Sequence, residues 1–310
     1  MLTSNAESAV ADDPAADTLL DKRRLQALGI LLPLRLTGIS FFSGRHTLGR
    51  AGEGMRFLRT RPFESGQDNP RDIDKFSPPG ELRINEWEAE AQATIQVFAD
   101  VSASMQFAPK KSLVNLALLQ LTYSLWRAGD RVKTTLVDAT SSETIQKRNL
   151  KSQLDQLILR LRSDALHPGR DMLDVLTEHQ QNVHGSYEDL AFVMSDFCRI
   201  RDEPADFDEA RWRSLQRKST CDVVPVVISF ALAAGQRGSV RLWDGETNRH
   251  KMTLLTPSRI AAINAAEEQR VERLQQRFRG LGMSCVALRR AQDAYPEFAK
   301  LAQWRRRHSR

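Results

Sequence analysis

Cysteine is scarce in this chain, and long apolar runs are missing. Cys198, Cys221 and Cys285 are odd in number, far apart and without C-x-x-C spacing. That argues against a zinc site or a disulfide framework and fits a reducing compartment. The longest apolar stretches, Leu25–Leu36 and Val223–Ala234, carry Pro33 and Arg35 in the first and Pro225 in the second. Both fall short of the roughly 20 residues a bilayer span needs. No basic region followed by an apolar stretch opens the chain, so no signal peptide is expected. These absences predict a cytoplasmic protein. Catalytic signatures are lacking too. His46, His167, His179, His184, His250 and His308 are scattered, none in H-E-x-x-H or beside G-x-S-x-G, and there is no G-x-x-x-x-G-K-[ST]. The expectation is a protein that is not an enzyme and does not itself hydrolyse nucleotides.

What is present is an ordinary globular composition, 41% hydrophobic and 27% charged over 310 residues, with ample chain for a core. Net charge is +6, from 45 basic and 39 acidic residues. The basic residues are scattered among acids, except in the tail Trp304-Arg305-Arg306-Arg307-His308-Ser309-Arg310. A solvated surface is favoured over a nucleic-acid or anionic-lipid interface, which stays the alternative function. The tail reads as a helix end whose arginines complement the helix dipole.

Three regions are expected. Residues 1–18, rich in Ala, Asp and Ser without periodicity, read as a disordered N-terminus. Residues 19–90 read as a helix over Leu19–Leu34 followed by an irregular Gly-, Pro- and Arg-rich arm packed on the domain that follows. From residue 91 to 310, apolar strands alternate with amphipathic helices, the pattern of an α/β fold with a doubly wound, mostly parallel sheet and helices on both faces. Strands are expected at Thr94–Ala99, Val132–Asp138, Leu190–Met194, Val223–Ser229 and Ser284–Leu288, with a short edge strand at Thr144–Lys147. Helices are expected at Lys111–Arg127, Leu150–Arg162, Met172–Gln180, Phe207–Arg217, Ser258–Gly280 and Tyr295–Arg307. Ser239–Trp243 and Lys251–Leu255 suit a β-hairpin around Asp244-Gly245-Glu246-Thr247-Asn248.

The most informative segment is 94–105, Thr-Ile-Gln-Val-Phe-Ala-Asp-Val-Ser-Ala-Ser-Met. An apolar run there ends in Asp100, Ser102 and Ser104, three oxygen donors at a strand's carboxyl end. Oxygen-only sites of low charge suit Mg²⁺, which keeps several waters. Asp196 falls at another such strand end, where open α/β sheets bind ligands, so it could converge on Asp100. Asp100 and the two hydroxyls could equally cap the following helix and satisfy the loop's backbone donors.

The D-x-S-x-S loop resembles the metal-ion-dependent adhesion site of von Willebrand factor A domains. Further segments are similar to one bacterial family with that fold, domain of unknown function fifty-eight, usually encoded beside MoxR-type AAA+ ATPases. They are Arg61-Pro62-Phe63-Glu64-Ser65-Gly66-Gln67-Asp68, then Arg71-Asp72-Ile73-Asp74, and later Gly129-Asp130-Arg131-Val132, Ser195-Asp196-Phe197 and Asp244-Gly245-Glu246-Thr247. The resemblance spans roughly 20–310. It implies a von Willebrand A-like interaction module, an adaptor or co-chaperone of a MoxR-type ATPase acting on a client protein complex. It also implies a metal set of Asp100, Ser102, Ser104 and Asp196. The sequence departs from the pattern in four places. Gln67 interrupts Gly-Asp, Lys75-Phe76 stands for a tryptophan, and Ser229-Phe230-Ala231-Leu232 replaces Asp-Pro-x-Glu. Pro168-Gly169-Arg170-Asp171 occupies the loop that supplies a threonine ligand. Arg170 there could take the cation's place and pair with Asp100 or Asp196, and Asp171 could compensate as a ligand. In the arm, Arg56, Arg59, Arg61 and Arg71 with Asp68, Asp72 and Asp74 read either as a partner-binding device or as ion pairs pinning the arm to the domain.

Overall fold

A strand covered on both faces must be apolar nearly throughout, and a parallel sheet needs such strands. The computed structural model describes residues 46–51, 57–91, 94–138, 142–162, 170–182, 190–198, 207–218, 221–233, 235, 238–244 and 249–308. In chain order its elements are β1 (His46–Ala51), β2 (Phe57–Pro62), β3 (Arg83–Ala91), β4 (Thr94–Asp100), α1 (Ala108–Arg127), β5 (Arg131–Val137), β6 (Ser142–Ile145), α2 (Leu150–Leu161), α3 (Met172–Asn182), β7 (Leu190–Ser195), α4 (Glu209–Lys218), β8 (Asp222–Ile228), β9 (Gly238–Asp244), β10 (Arg249–Leu255), α5 (Pro257–Gly280), β11 (Val286–Leu288) and α6 (Ala294–His308). Every residue of β7, and all but the first of β4 and β8, is buried.

The main sheet has the order β11-β8-β7-β4-β5-β6. All neighbours are parallel except β5 and β6. Strand alternation divides the core between the two faces. Ile95, Val97 and Ala99 pack with Phe192, Met194, Val224 and Val226 beneath α1, α2 and α6. Phe98 packs with Val193, Val223 and Val227 beneath α3, α4 and α5. A single strand thus feeds two cores, which is what a doubly wound sheet requires.

β4 leads through α1 to β5 on one side, while β7 leads through α4 to β8 on the other. The strand order therefore reverses between β4 and β7, and loops leaving in opposite directions open a crevice at their carboxyl ends. β4 and β7 pair in register, Ile95 with Leu190 through Ala99 with Met194. Asp100 accordingly stands level with Ser195, one residue before Asp196.

α1 begins at Ala108, three residues before the expected start, with Pro109 in its first turn. Proline suits that position because its missing N–H has no intrahelical partner there. The helix stops at Gly129, whose φ of 93° is left-handed, and the Asp130 N–H closes back on the Leu125 carbonyl at 3.2 Å. The expected edge strand is present as β6, two residues earlier than read and antiparallel to β5. β9 and β10 form the expected hairpin, in register from Gly238–Leu255 to Asp244–Arg249; its turn residues 245–248 lie outside the described residues.

The arm requires a correction. Where composition predicts irregular chain, the structure has a three-stranded antiparallel sheet of order β1-β3-β2. Its central strand reads Arg-Ile-Asn-Glu-Trp-Glu-Ala-Glu-Ala, polar enough to hide the strand signal. Among the described residues its ion pairs are internal. Arg59 and Arg61 each donate to Glu86 at 2.6 Å, and Arg61 also forks onto Asp68. These charges tie the arm to itself. The expected N-terminal tail 1–18, the helix Leu19–Leu34 and Arg56 lie outside the described residues.

Candidate functional site

The crevice is built from three chain segments. The loop after β4 supplies Asp100, Ser102 and Ser104; the end of β7 supplies Ser195 and Asp196; the first turn of α1 supplies Lys110. Asp100 and Asp196 are both buried, 5% and 2% exposed. An ionised carboxylate out of water must be paired or hydrogen-bonded, and each of the four carboxylate oxygens is engaged. Asp100 Oδ1 accepts the Ser102 N–H at 3.0 Å, and Oδ2 accepts the Ser195 hydroxyl at 2.8 Å. Asp196 Oδ1 accepts the Cys198 N–H at 2.9 Å, and Oδ2 accepts the Lys110 ammonium at 2.7 Å.

The two carboxylates differ in charge preference. Burial, reinforced by the neighbouring Asp196 charge, pushes Asp100 up to about 6, against the pull of its bonds from Ser102 and Ser195. Burial works against Asp196 as well, but the Lys110 ammonium, together with the Cys198 N–H and Arg270, holds that carboxyl below its ordinary value. Of the two, Asp196 is the one whose negative charge is secured.

A second layer encloses this pair. Lys110 lies 5.6 Å from the centroid of the Phe230 ring, within cation–π range. Phe230 in turn meets Phe107 edge-on at 5.2 Å. From α5, Arg270 donates to the Asp196 backbone carbonyl at 2.7 Å and grips Glu267 with two bonds. Glu267 also accepts the Ser229 hydroxyl at 2.7 Å. Ser229 and Phe230 belong to the segment that replaces Asp-Pro-x-Glu, so the departure from the family pattern supplies the wall behind Lys110.

The structure brings Asp100, Ser102, Ser104 and Asp196 to one edge, with the hydroxyls of Ser102 and Ser104 3.3 Å apart. Arg170, which could have paired with Asp100 or Asp196, pairs its guanidinium with Glu178, two turns along α3. Asp171 caps the start of α3, accepting the Leu173 N–H at 2.9 Å. Both residues line a neighbouring cavity of about 60 Å³ shared with Ser195. Sequence reasoning missed Lys110, although a signal existed. Lys110 lies three and four residues before Leu113 and Val114, which with Ala117 and Leu118 are buried. Helical spacing puts that lysine on the buried stripe.

Asp100, Ser102 and Ser104 are oxygen donors of the kind a hard divalent cation takes. A metal shared between Asp100 and Asp196 does not fit the residues as arranged, however. Asp196 already holds an ammonium that is itself only 8% exposed, and a dication at the same carboxylate would face that like charge where water screens little. Among the described residues no three or more His, Cys, Asp or Glu side chains are grouped to hold a metal ion.

Several solved structures are similar to this chain. The conserved hypothetical protein BatB from Bacteroides thetaiotaomicron is 11% identical over 69% of this chain and 99% of its own, with a TM-score of 0.40. Proximal thread matrix protein 1 from the mussel byssus, with a zinc-occupied MIDAS motif, is 11% identical over 69% of this chain and 46% of its own, TM-score 0.37. Manganese-loaded TRAP protein from Plasmodium vivax is 16% identical over 43% and 57%, TM-score 0.32. No curated protein matches the chain. The fold is α/β, a mostly parallel sheet with helices on both faces, and no helix among the described residues is long and apolar enough to cross a membrane. The family described as Protein of unknown function DUF58 matches residues 59–272, well over half the chain, and the protein belongs to that family.

Proposed function

We propose that this chain is a non-catalytic protein-interaction module whose docking surface is the carboxyl edge around Asp100, Ser102 and Ser104. In this reading it works in the cytoplasm as adaptor or co-chaperone of a MoxR-type AAA+ ATPase, in the maturation or activation of a client complex. The observation that carries the docking surface is the reversal of strand order between β4 and β7, which opens a polar crevice beside an exposed aromatic. Phe107 is 43% exposed and backed by Phe230, the arrangement of a rigid aromatic anchor at a protein interface. Ser104, half-buried at the crevice mouth, offers a hydroxyl to a partner's polar groups. The fixed pairing of every carboxylate oxygen suits a rigid surface better than proton transfer. The ATPase partner rests on family resemblance alone, since fold does not set function.

The test is capture of a purified MoxR-type ATPase by the tagged full chain, with ATP present. Phe107→Ala and Ser104→Arg are expected to weaken capture tenfold or more, about 1.4 kcal/mol or greater, with melting temperature little changed. Leu159→Asp, at an exposed position on α2, serves as control and is expected to bind normally. Undiminished capture by both crevice variants would place the partner surface elsewhere, and phosphate-type binding to nucleic acid would announce itself by a steep loss with salt.

A further inference from the structure

We infer that Lys110 is the resident cation of the carboxyl edge, occupying the place beside Asp196 where a shared divalent metal would sit, so that the site is assembled without metal. Three observations converge on this. The Lys110 ammonium is 2.7 Å from Asp196 Oδ2, and its burial leaves it little water to return to. Its stem leaves the first turn of α1, immediately after the loop bearing Ser102 and Ser104, so the cation is tethered to the same loop that supplies the oxygen donors. Of the loop expected to complete a metal shell, the described residues Arg170 and Asp171 bond Glu178 and the α3 start. Phe230 faces the ammonium from one side, and the Arg270 guanidinium reaches the Asp196 carbonyl. Among the described side chains, Lys110 and Arg270 bring positive charge to Asp196. A covalently tethered cation needs no ion from solution and is not removed by a chelator, which makes the crevice a fixed surface.

The inference concerns the same edge as the proposed docking surface but not its partner, and it is tested on the isolated full chain. Mn²⁺ titration is followed by electron paramagnetic resonance, in which the free-ion signal falls on binding, and by melting temperature with and without EDTA. The wild type is expected to leave the Mn²⁺ signal undiminished and to melt at the same temperature in EDTA. Lys110→Met, which leaves the buried Asp196 carboxylate without its cation beside Asp100, is expected to melt lower and to take up Mn²⁺, recovering part of the loss. Lys110→Arg keeps a cation and is expected to behave as wild type, so it carries the test should Lys110→Met fail to fold. Saturable Mn²⁺ uptake by the wild type that disappears in Asp196→Asn would overturn the inference, whatever becomes of partner capture. So would a Lys110→Met chain that melts like wild type and ignores Mn²⁺.

Discussion

Ser195 and Asp100, 95 residues apart in the chain, are joined across the β4–β7 seam by a hydroxyl-to-carboxylate bond of 2.8 Å. The bond lies where the sheet's strand order reverses, so it holds together the two strand ends from which the crevice is made. The same hydroxyl oxygen accepts the Phe197 N–H at 3.1 Å, tying the outgoing loop to the seam. Ser195→Ala deletes both interactions and leaves a buried carboxylate short of a donor. The expected loss is about 1–3 kcal/mol, read as a lower urea midpoint with an unchanged slope. Wild-type stability in this variant would mean that Asp100 finds an equivalent donor elsewhere.

Asp100 gives the site a pH dependence of definite sign. Its carboxyl is raised from 3.8 to about 6 on folding, so between those values the folded chain holds a proton that the unfolded chain has released. The stability linked to Asp100 is fully present below 3.8 and is lost as pH rises through 6. Asp196 works the other way. Held below its ordinary value by Lys110, it contributes above 3.8 and loses that contribution only as pH falls further. The two windows are separate. Urea unfolding from pH 4 to 7 should therefore show wild type declining relative to Asp100→Asn, most steeply between about 4 and 6. Parallel profiles would contradict the raised carboxyl.

The arm is expected to depend on the rest of the chain. Among the described side chains from 57 to 86, Ile84 is the only buried hydrophobic one, while Phe57, Phe76 and Leu82 are exposed. Internal ion pairs such as Arg61 with Asp68 and Glu86 add little at a surface. A small sheet needs a hydrophobic face to hold together in water, and the described side chains of these strands bring only Ile84 to one. A peptide of residues 46–91 should show a random-coil circular dichroism spectrum, and limited proteolysis of the full chain should leave the arm attached. A cooperatively melting peptide would make the arm a domain of its own.

The parallel strands were legible because double burial forces apolar runs, as in Leu190-Ala-Phe-Val-Met-Ser195. The edge carrying Asp100 followed from the same runs, since each ends in polar residues where the strand leaves the core. β3 is hidden by composition and not by pattern: glutamates at 86, 88 and 90 alternate with Trp87, Ala89 and Ala91 at a strand's two-residue period, inside a stretch whose Gly, Pro and Arg content reads as irregular. Lys110 was hidden for a different reason. Pro109-Lys110-Lys111 looks like a solvated helix start, and nothing local says that β7 will end opposite it. Arg170 shows the reverse: its place in the motif allows pairing with Asp100 or Asp196, and the structure gives it another carboxylate. Glu178, eight residues on along α3, was the nearer partner.

Phe197 is the only non-glycine residue with positive φ among those described, at 53°. The left-handed conformation costs an L-residue roughly 1–2 kcal/mol. What holds it there is the Ser195 bond on its N–H and its ring, set edge-on against Phe278 at 5.2 Å and Trp212 at 6.1 Å. Phe278 is fully buried, so the ring anchors the loop to the core beneath α5. Replacing Phe197 by Ala or by Gly removes the same ring contacts, but only Gly relieves the backbone. Glycine's extra freedom in the unfolded chain costs about 0.4–1 kcal/mol, less than the strain it removes. Phe197→Gly should thus unfold at higher urea than Phe197→Ala, the reverse of the order found in ordinary helical or extended positions. Should alanine prove the more stable of the two, the left-handed turn beside Asp196 is not kept in solution, and the Cys198 N–H that the turn aims at the carboxylate is lost with it.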